Sequence, residues 1–391
     1  MADSVKKTEL LFKEIYKLIK NRDFTSAYQK LDSAQLVADD DRVRSYKAFL
    51  NYCGFVQSEP KDKSIKTLRD LSKANSPDAT FLLASVYLIP GIYESLNAAI
   101  PESIQLLENL YKQKFSKSFL LYANLLIHTR IYEQAWEILE EAEGNPSIAI
   151  SGVIQQKLAV IRQTNKYLEQ LPNIFEQCVN QYNNGNFSVC SSYASFLLDK
   201  NGEYFDPSCG IRVIEEGVLH NDNSCSILKA NLLVSHSGYI KRDVNLAVTL
   251  LKEIIKNDKY DQGSRLLLSQ IYLQSEEYKN SGYEEEVIKL LSESFWYCDL
   301  SSINLYLATI KKYQLFDEKN FFKALEMKSK LEGKNKKLFF TFYKLFWSFG
   351  KIIDAVWKVI IFIISFILAA IFASIRVFFF YLSVFIRRIF K

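Results

Sequence analysis

With 391 residues, 49% of them hydrophobic and 24% charged, the chain can bury a large core and is not a disordered polypeptide. Only 13 Gly and 7 Pro argue against a turn-rich β fold and favour helices joined by short loops. The net charge of +5 is unevenly placed, +9 from Lys334 onward and −4 before it, which makes a phosphate-gripping nucleic-acid face on the body the weaker reading and points the basic tail toward anionic lipid.

The N-terminus, MADSVKKTELLFKEIYKLIK, lacks the unbroken apolar stretch of a signal peptide. The segment LFKEIYKLIKNRDFTSAYQKLDSA reads as a helix pair turning at NRDF, with Ala27 in the second helix. From there a small residue recurs inside an apolar helical pattern: Ala48, Ala84, Ala123, Ala159, Ala194, Ala230, Ser269 and Ala308. The steps are 36, 39, 36, 35, 36, 39 and 39 residues. A period of that size is the mark of stacked helical repeats. After each anchor comes a loop and a second amphipathic segment, as in YEQAWEILEEA, CGIRVIEEGVL, VNLAVTLLKEIIK and EEEVIKLLSES. A small side chain is needed where the two helices of a pair cross, because only Ala, Ser or Gly lets the backbones approach.

Ala123 and Ala135 stand twelve residues apart, the spacing of the helix-A and helix-B anchors in tetratricopeptide repeats. Other units are longer, with the loops NGEYFDPSCG and SGYIKRDVNLA placing Gly202 and Asp206, or Gly238 and Asp243, ahead of the small helix-B residue. In these features residues 8–330 resemble the Sel1-like variant of the tetratricopeptide family. The resemblance implies an all-α, right-handed α-solenoid of about nine helix-turn-helix repeats over residues 1–332, with scaffolding and adaptor roles and protein partners.

Chemistry is sparse. His128, His220 and His236 are the only histidines, none with a second ligand at metal-binding spacing. His220, in GVLHNDNSC between repeats, suits a surface or capping role. No phosphate-binding, dinucleotide-binding or nucleophile-elbow motif occurs. The acidic runs at 38–41, 140–143 and 284–286 suit helix starts and solvent faces. Cys53, Cys178, Cys190, Cys209, Cys225 and Cys298 show no CxxC pairing and read as small core residues of a body in a reducing cytosol. The expectation is a protein that is not an enzyme, with no cofactor, no metal and no nucleic-acid partner.

A binding face is nevertheless predicted. The residue after each anchor projects toward the concave side: Phe49, Ser85, Asn124, Val160, Ser195, Asn231, Gln270 and Thr309. Six of these (Ser85, Asn124, Ser195, Asn231, Gln270, Thr309) are uncharged polar residues able to hydrogen-bond an extended peptide, as the asparagines of tetratricopeptide grooves do.

Composition shifts after LEGKNKK. Residues 333–354 form a basic, aromatic linker or interfacial segment, and residues 355–391 a hydrophobic membrane-anchoring helix region. Val359–Ile375 is uncharged for seventeen residues, about 25 Å of helix, at the short limit for a bilayer. Asp354, Ser365, Arg376 and Arg387 are spaced by 11 residues, and Lys351, Lys358 and Ser383 fall near the same line, so one polar stripe runs along the helix. Such a stripe is satisfied by lipid headgroups, by a partner helix or by a second copy. The expected localisation is a membrane with the repeat body on its cytoplasmic side, at a bacterial inner membrane or an organelle surface. The expected role is a membrane-tethered scaffold, in the setting of an envelope-biogenesis, polysaccharide or secretion machine. The competing role is a membrane-remodelling or pore-related protein whose striped tail self-associates under control of the repeats.

Overall fold

A computed structural model describes residues 2–331, except 21–22, 35–40, 89–95, 236–237, 259–260, 279–280, 294–299, 314 and 316–317. The chain divides into two units, Met1–Lys334 and Asn335–Lys391, and the described residues all lie in the first. They are helical throughout, with no strand among them.

Eighteen α-helices among the described residues form nine consecutive pairs. They are α1 (Ala2–Lys20) with α2 (Phe24–Asp32), α3 (Asp41–Tyr52) with α4 (Lys61–Lys73), α5 (Pro77–Tyr87) with α6 (Leu96–Lys112), and α7 (Ser118–His128) with α8 (Tyr132–Glu143). There follow α9 (Ile150–Thr164) with α10 (Leu171–Asn183), α11 (Cys190–Leu197) with α12 (Pro207–Leu219), α13 (Asn223–Val234) with α14 (Val244–Asn257), α15 (Gln262–Gln274) with α16 (Glu284–Glu293), and α17 (Leu300–Tyr313) with α18 (Glu318–Leu331). Each helix packs on the next except α9 on α10, and first helices of neighbouring pairs touch one another at α3–α5, α7–α9, α9–α11, α11–α13 and α13–α15. At those steps the first helices lie side by side, as in a stacked helical-repeat array.

Small residues do sit at the crossings. Ala48, Ala84, Ala123, Ala194, Ala230 and Ser269 are buried, as are Ala27, Ala135, Gly210 and Ala247 on the second helices. Two anchors are shifted. Ala159 is only half-buried and Ala308 is exposed, while the next residues, Val160 and Thr309, are fully packed. Thr309 tolerates burial because its hydroxyl donates to the Leu305 carbonyl at 2.8 Å.

The longer loops have a clear cause. Asp206 and Asp243 are N-caps: their carboxylates accept from the backbone N–H groups of Cys209 at 3.0 Å and Leu246 at 2.9 Å. Their own N–H groups donate back to the ends of the preceding helices, at Leu197 O and Leu233 O. Each aspartate thus closes the loop and starts the second helix. Asp23, Asp222 and Asp261 cap α2, α13 and α15 in the same way.

Buried apolar residues form three successive cores, around Phe12–Ala99, Ala84–Cys225 and Ala230–Met327. Helix α13 straddles the last two, with Cys225 in one and Ala230 in the other.

Candidate peptide-binding groove

The residues predicted to line a groove separate into three groups. Asn124 and Asn231 are exposed and Gln270 is half-buried, and no hydrogen bond among the described residues engages their amides. Ser85 and Ser195 are half-buried, but their hydroxyls donate to the carbonyls of Phe81 and Ser191, both at 2.8 Å, leaving only acceptor lone pairs. Thr309 is buried and faces no groove, because its unit runs one residue out of the expected register. Val160 fails for the same reason. The stripe residues Lys351, Asp354, Lys358, Ser365, Arg376, Ser383 and Arg387 lie outside the described residues.

Ser195 and Asn231 come together. They line an open groove of about 370 Å³ across α9, α11 and α13. Its lining combines apolar Leu158, Ile227 and Leu228 with polar Gln155, Arg162, Ser191, Ser192, Ser195, Ser224 and Asn231. Arg162 is the one charged residue in this lining, and no ion pair among the described residues engages it. Free amides present a donor and an acceptor side by side, which matches the alternation of N–H and C=O along an extended chain.

Residue-by-residue reading of the repeats missed Gln155, Arg162, Ser191, Ser224 and Ile227. Ser191 and Ile227 stand four positions before Ser195 and Asn231, so the helix face is two rows wide. In α9 the face runs through Gln155, Leu158 and Arg162 at steps of three and four. That unit's shifted register concealed it.

Comparison with known proteins adds only likeness of fold. No family model matches the chain, and no curated protein matches its sequence. Among solved structures it is similar to yeast Tom70, at 16% identity and TM-score 0.46, over 76% of this chain and 61% of that one. It is also similar to a protective antigen of uropathogenic Escherichia coli displaying an SLR fold, at 13% identity and TM-score 0.38, over 82% of this chain and 66% of the other. A third is a Sel1 repeat protein from Oxalobacter formigenes, at 15% identity and TM-score 0.35, over 71% and 94%. The chain thus spans less than two thirds of the length of the first two.

Other polar clusters have structural partners. Arg42, Asp78 and Lys117 lie six residues before the anchors of three consecutive units and form a ladder of alternating sign. Lys117 also donates to the Tyr16 hydroxyl, and burial with the Tyr16 phenol alongside holds the Tyr46 hydroxyl far above its ordinary range. A second groove of about 540 Å³, beside α2, α3 and α4, is crossed by the pairs Lys47–Asp32 at 2.6 Å and Lys63–Glu59 at 3.3 Å.

The acidic run at 140–143 closes α8, with Glu140 and Glu141 on its exposed face. Glu141 pairs with Lys114 and accepts from Tyr111, Glu143 pairs with the buried Lys157, and Glu140 accepts from the Trp136 indole at 2.8 Å. Those partners offset carboxylates placed at the unfavourable end of the helix dipole. Glu284, Glu285 and Glu286 do occupy the first turn of α16. His220 is exposed at the C-terminal cap of α12 and stacks on Phe187 at 3.8 Å, while His236 and Cys298 lie outside the described residues. Among the described residues no group of three or more His, Cys, Asp or Glu is placed to hold a metal ion. Among them, too, no helix is long and apolar enough to cross a membrane.

Proposed function

We propose that the protein is a non-enzymatic scaffold whose groove across α9, α11 and α13 holds an extended segment of a partner protein, and whose tail keeps it at a membrane. One observation carries the binding reading. Three successive first helices bring the unpartnered side chains of Gln155, Arg162 and Asn231 into one groove with apolar Leu158, Ile227 and Leu228. Polar groups left without partners on a repeat face are ready to pair with a guest backbone, and the apolar residues give a side chain somewhere to go. The tail reading rests on sequence: seventeen uncharged residues bounded by Lys358 and Arg376, on a polar stripe that continues to Arg387.

The test is site-specific photocrosslinking of the full-length chain in its native membranes. A photoreactive residue at Ser195 is expected to capture a defined protein, and one at exposed Glu253 on α14 is not. Adding Gln155→Ala, Arg162→Ala and Asn231→Ala together should abolish the Ser195 adduct, and an undiminished adduct would remove the groove from the function. Truncation after Gly333 should release the body from membranes while retaining crosslinks in detergent. Continued membrane attachment of the truncated chain would sink the tail reading.

A further inference from the structure

Two buried thiols meet where consecutive repeats join. Cys190 opens α11 and Cys225 lies in the first turn of α13, and both are fully buried. Gly217 of α12 wedges between them. A Cβ built on Gly217 would stand 2.9 Å from the Cys225 Cβ and 3.0 Å from the Cys190 Cβ, so the two cysteines are no more than about 6 Å apart at Cβ. The two side chains are close enough to perturb each other's ionisation. The Cys225 thiol donates to Asp222 Oδ2 at 3.4 Å, while Asp222 Oδ1 caps α13 through the Ser224 N–H at 2.8 Å. A carboxylate therefore stands against the Cys225 thiol, with Cys190 beside it.

We propose that Cys190 and Cys225 form a dithiol site oxidised by small peroxides, with Asp222 as the base that closes the disulfide. Beginning at Cys190 suits the local electrostatics. The neighbouring Cys225 side chain holds the Cys190 thiol below its ordinary range, whereas Cys190, burial and the Asp222 carboxylate together drive Cys225 up. The Cys190 thiolate attacks one oxygen of the peroxide. The O–O bond breaks, the leaving hydroxide takes a proton to become water, and Cys190 is left as a sulfenic acid. Asp222 then takes the proton of Cys225, whose sulfur attacks the Cys190 sulfur. The S–O bond breaks, the departing hydroxide recovers the proton from Asp222 as a second water, and the S–S bond forms. Two thiols are oxidised by two electrons, and one peroxide is reduced to two waters.

Access comes through α13. This helix contributes to two hydrophobic cores, and local opening is the route by which groups buried beneath such an element meet solvent. A peroxide is small enough to use that opening. Once formed, the bond ties α11 to α13. Ser191 and Ser224, the immediate neighbours of the two cysteines, line the groove, so oxidation would fix the separation of two of the helices that line it. That consequence rests on the groove reading, but the chemistry does not.

The test treats the reduced full-length protein with hydrogen peroxide and maps thiols by mass spectrometry of a non-reducing digest. A Cys190–Cys225 linked peptide should accumulate as the main product, and in Cys225→Ser a dimedone-reactive sulfenic acid should remain at Cys190. Asp222→Asn keeps a side chain able to cap α13 and should slow disulfide closure about tenfold, with unchanged far-ultraviolet circular dichroism. If half-exposed Cys209 is oxidised while Cys190 and Cys225 stay alkylatable after unfolding, the proposal is overturned. If Asp222→Asn closes at the rate of the natural protein, the carboxylate has no place in it.

Discussion

The Lys117 ammonium lies 2.7 Å from Asp78 Oδ1, although the two residues occupy the same position in consecutive repeats. Arg42, one repeat earlier, approaches the other Asp78 oxygen at 3.4 Å. One carboxylate therefore pins two cations on either side of it, and all three side chains are at most 30% exposed. Asp78→Ala is expected to cost about 2–4 kcal/mol, because it leaves both cations without their acid. Lys117→Met should cost less, about 1 kcal/mol, since Asp78 retains Arg42. Urea denaturation of both variants checks the asymmetry, and equal losses would show that Arg42 contributes nothing.

Gly217 supplies a second test of how the repeats close up. Replacing a helical glycine by alanine ordinarily stabilises by about 1 kcal/mol. At this position the new Cβ would lie 2.4 Å from the Cys225 sulfur, with Cys190 behind it. Gly217→Ala should therefore destabilise by about 1–3 kcal/mol, the usual penalty for overpacking. A rise in melting temperature would mean that α11, α12 and α13 are packed less tightly than described.

The corrected register in the last units is also open to measurement. Ala308 is exposed and Thr309 is buried. Ala308→Lys should leave stability within about 0.5 kcal/mol, whereas Thr309→Lys buries an unpaired ammonium and should cost more than about 3 kcal/mol. The reverse order would restore the register that the repeat spacing suggests.

That pair shows where sequence reasoning reaches its limit. Nine helix pairs are legible because each crossing needs a small side chain, and six of the eight anchors do fill that role. Spacing alone cannot separate adjacent candidates such as Ala159 and Val160, or Ala308 and Thr309. Which one turns inward depends on the rotation of the whole helix against its neighbours. The loops were legible for a different reason, since Asp206 and Asp243 act locally as caps. The groove was half legible. Ser195 and Asn231 follow from the repeat, but Arg162 enters the groove only through the packing of α9 on α11, and a one-row reading of the face could not find it.

Groove amides that wait for a guest should be idle in the folded chain. Asn124, Asn231 and Gln270 make no hydrogen bond among the described residues. Their combined replacement by alanine is expected to move unfolding free energy by no more than about 0.5 kcal/mol per site. A larger loss in calorimetry would reveal a structural role and weaken the case for a binding face.

Alkaline pH should unfold the body through its tyrosines. Burial pushes the Tyr87 and Tyr111 hydroxyls up from the usual 10 to about 12, and Glu102 and Glu141 respectively add to the shift. Below pH 10 the phenols are protonated in both states and their contribution is complete. Between pH 10 and 12 the unfolded chain loses these protons while the folded chain keeps them, so stability falls with rising pH. Tyr46, raised further by burial and its Tyr16 neighbour, extends the same trend. Phenolate absorbance followed together with circular dichroism should show a group of tyrosines ionising only as helicity is lost. Full ionisation of all tyrosines near pH 10 with helicity intact would contradict their burial in the repeat cores.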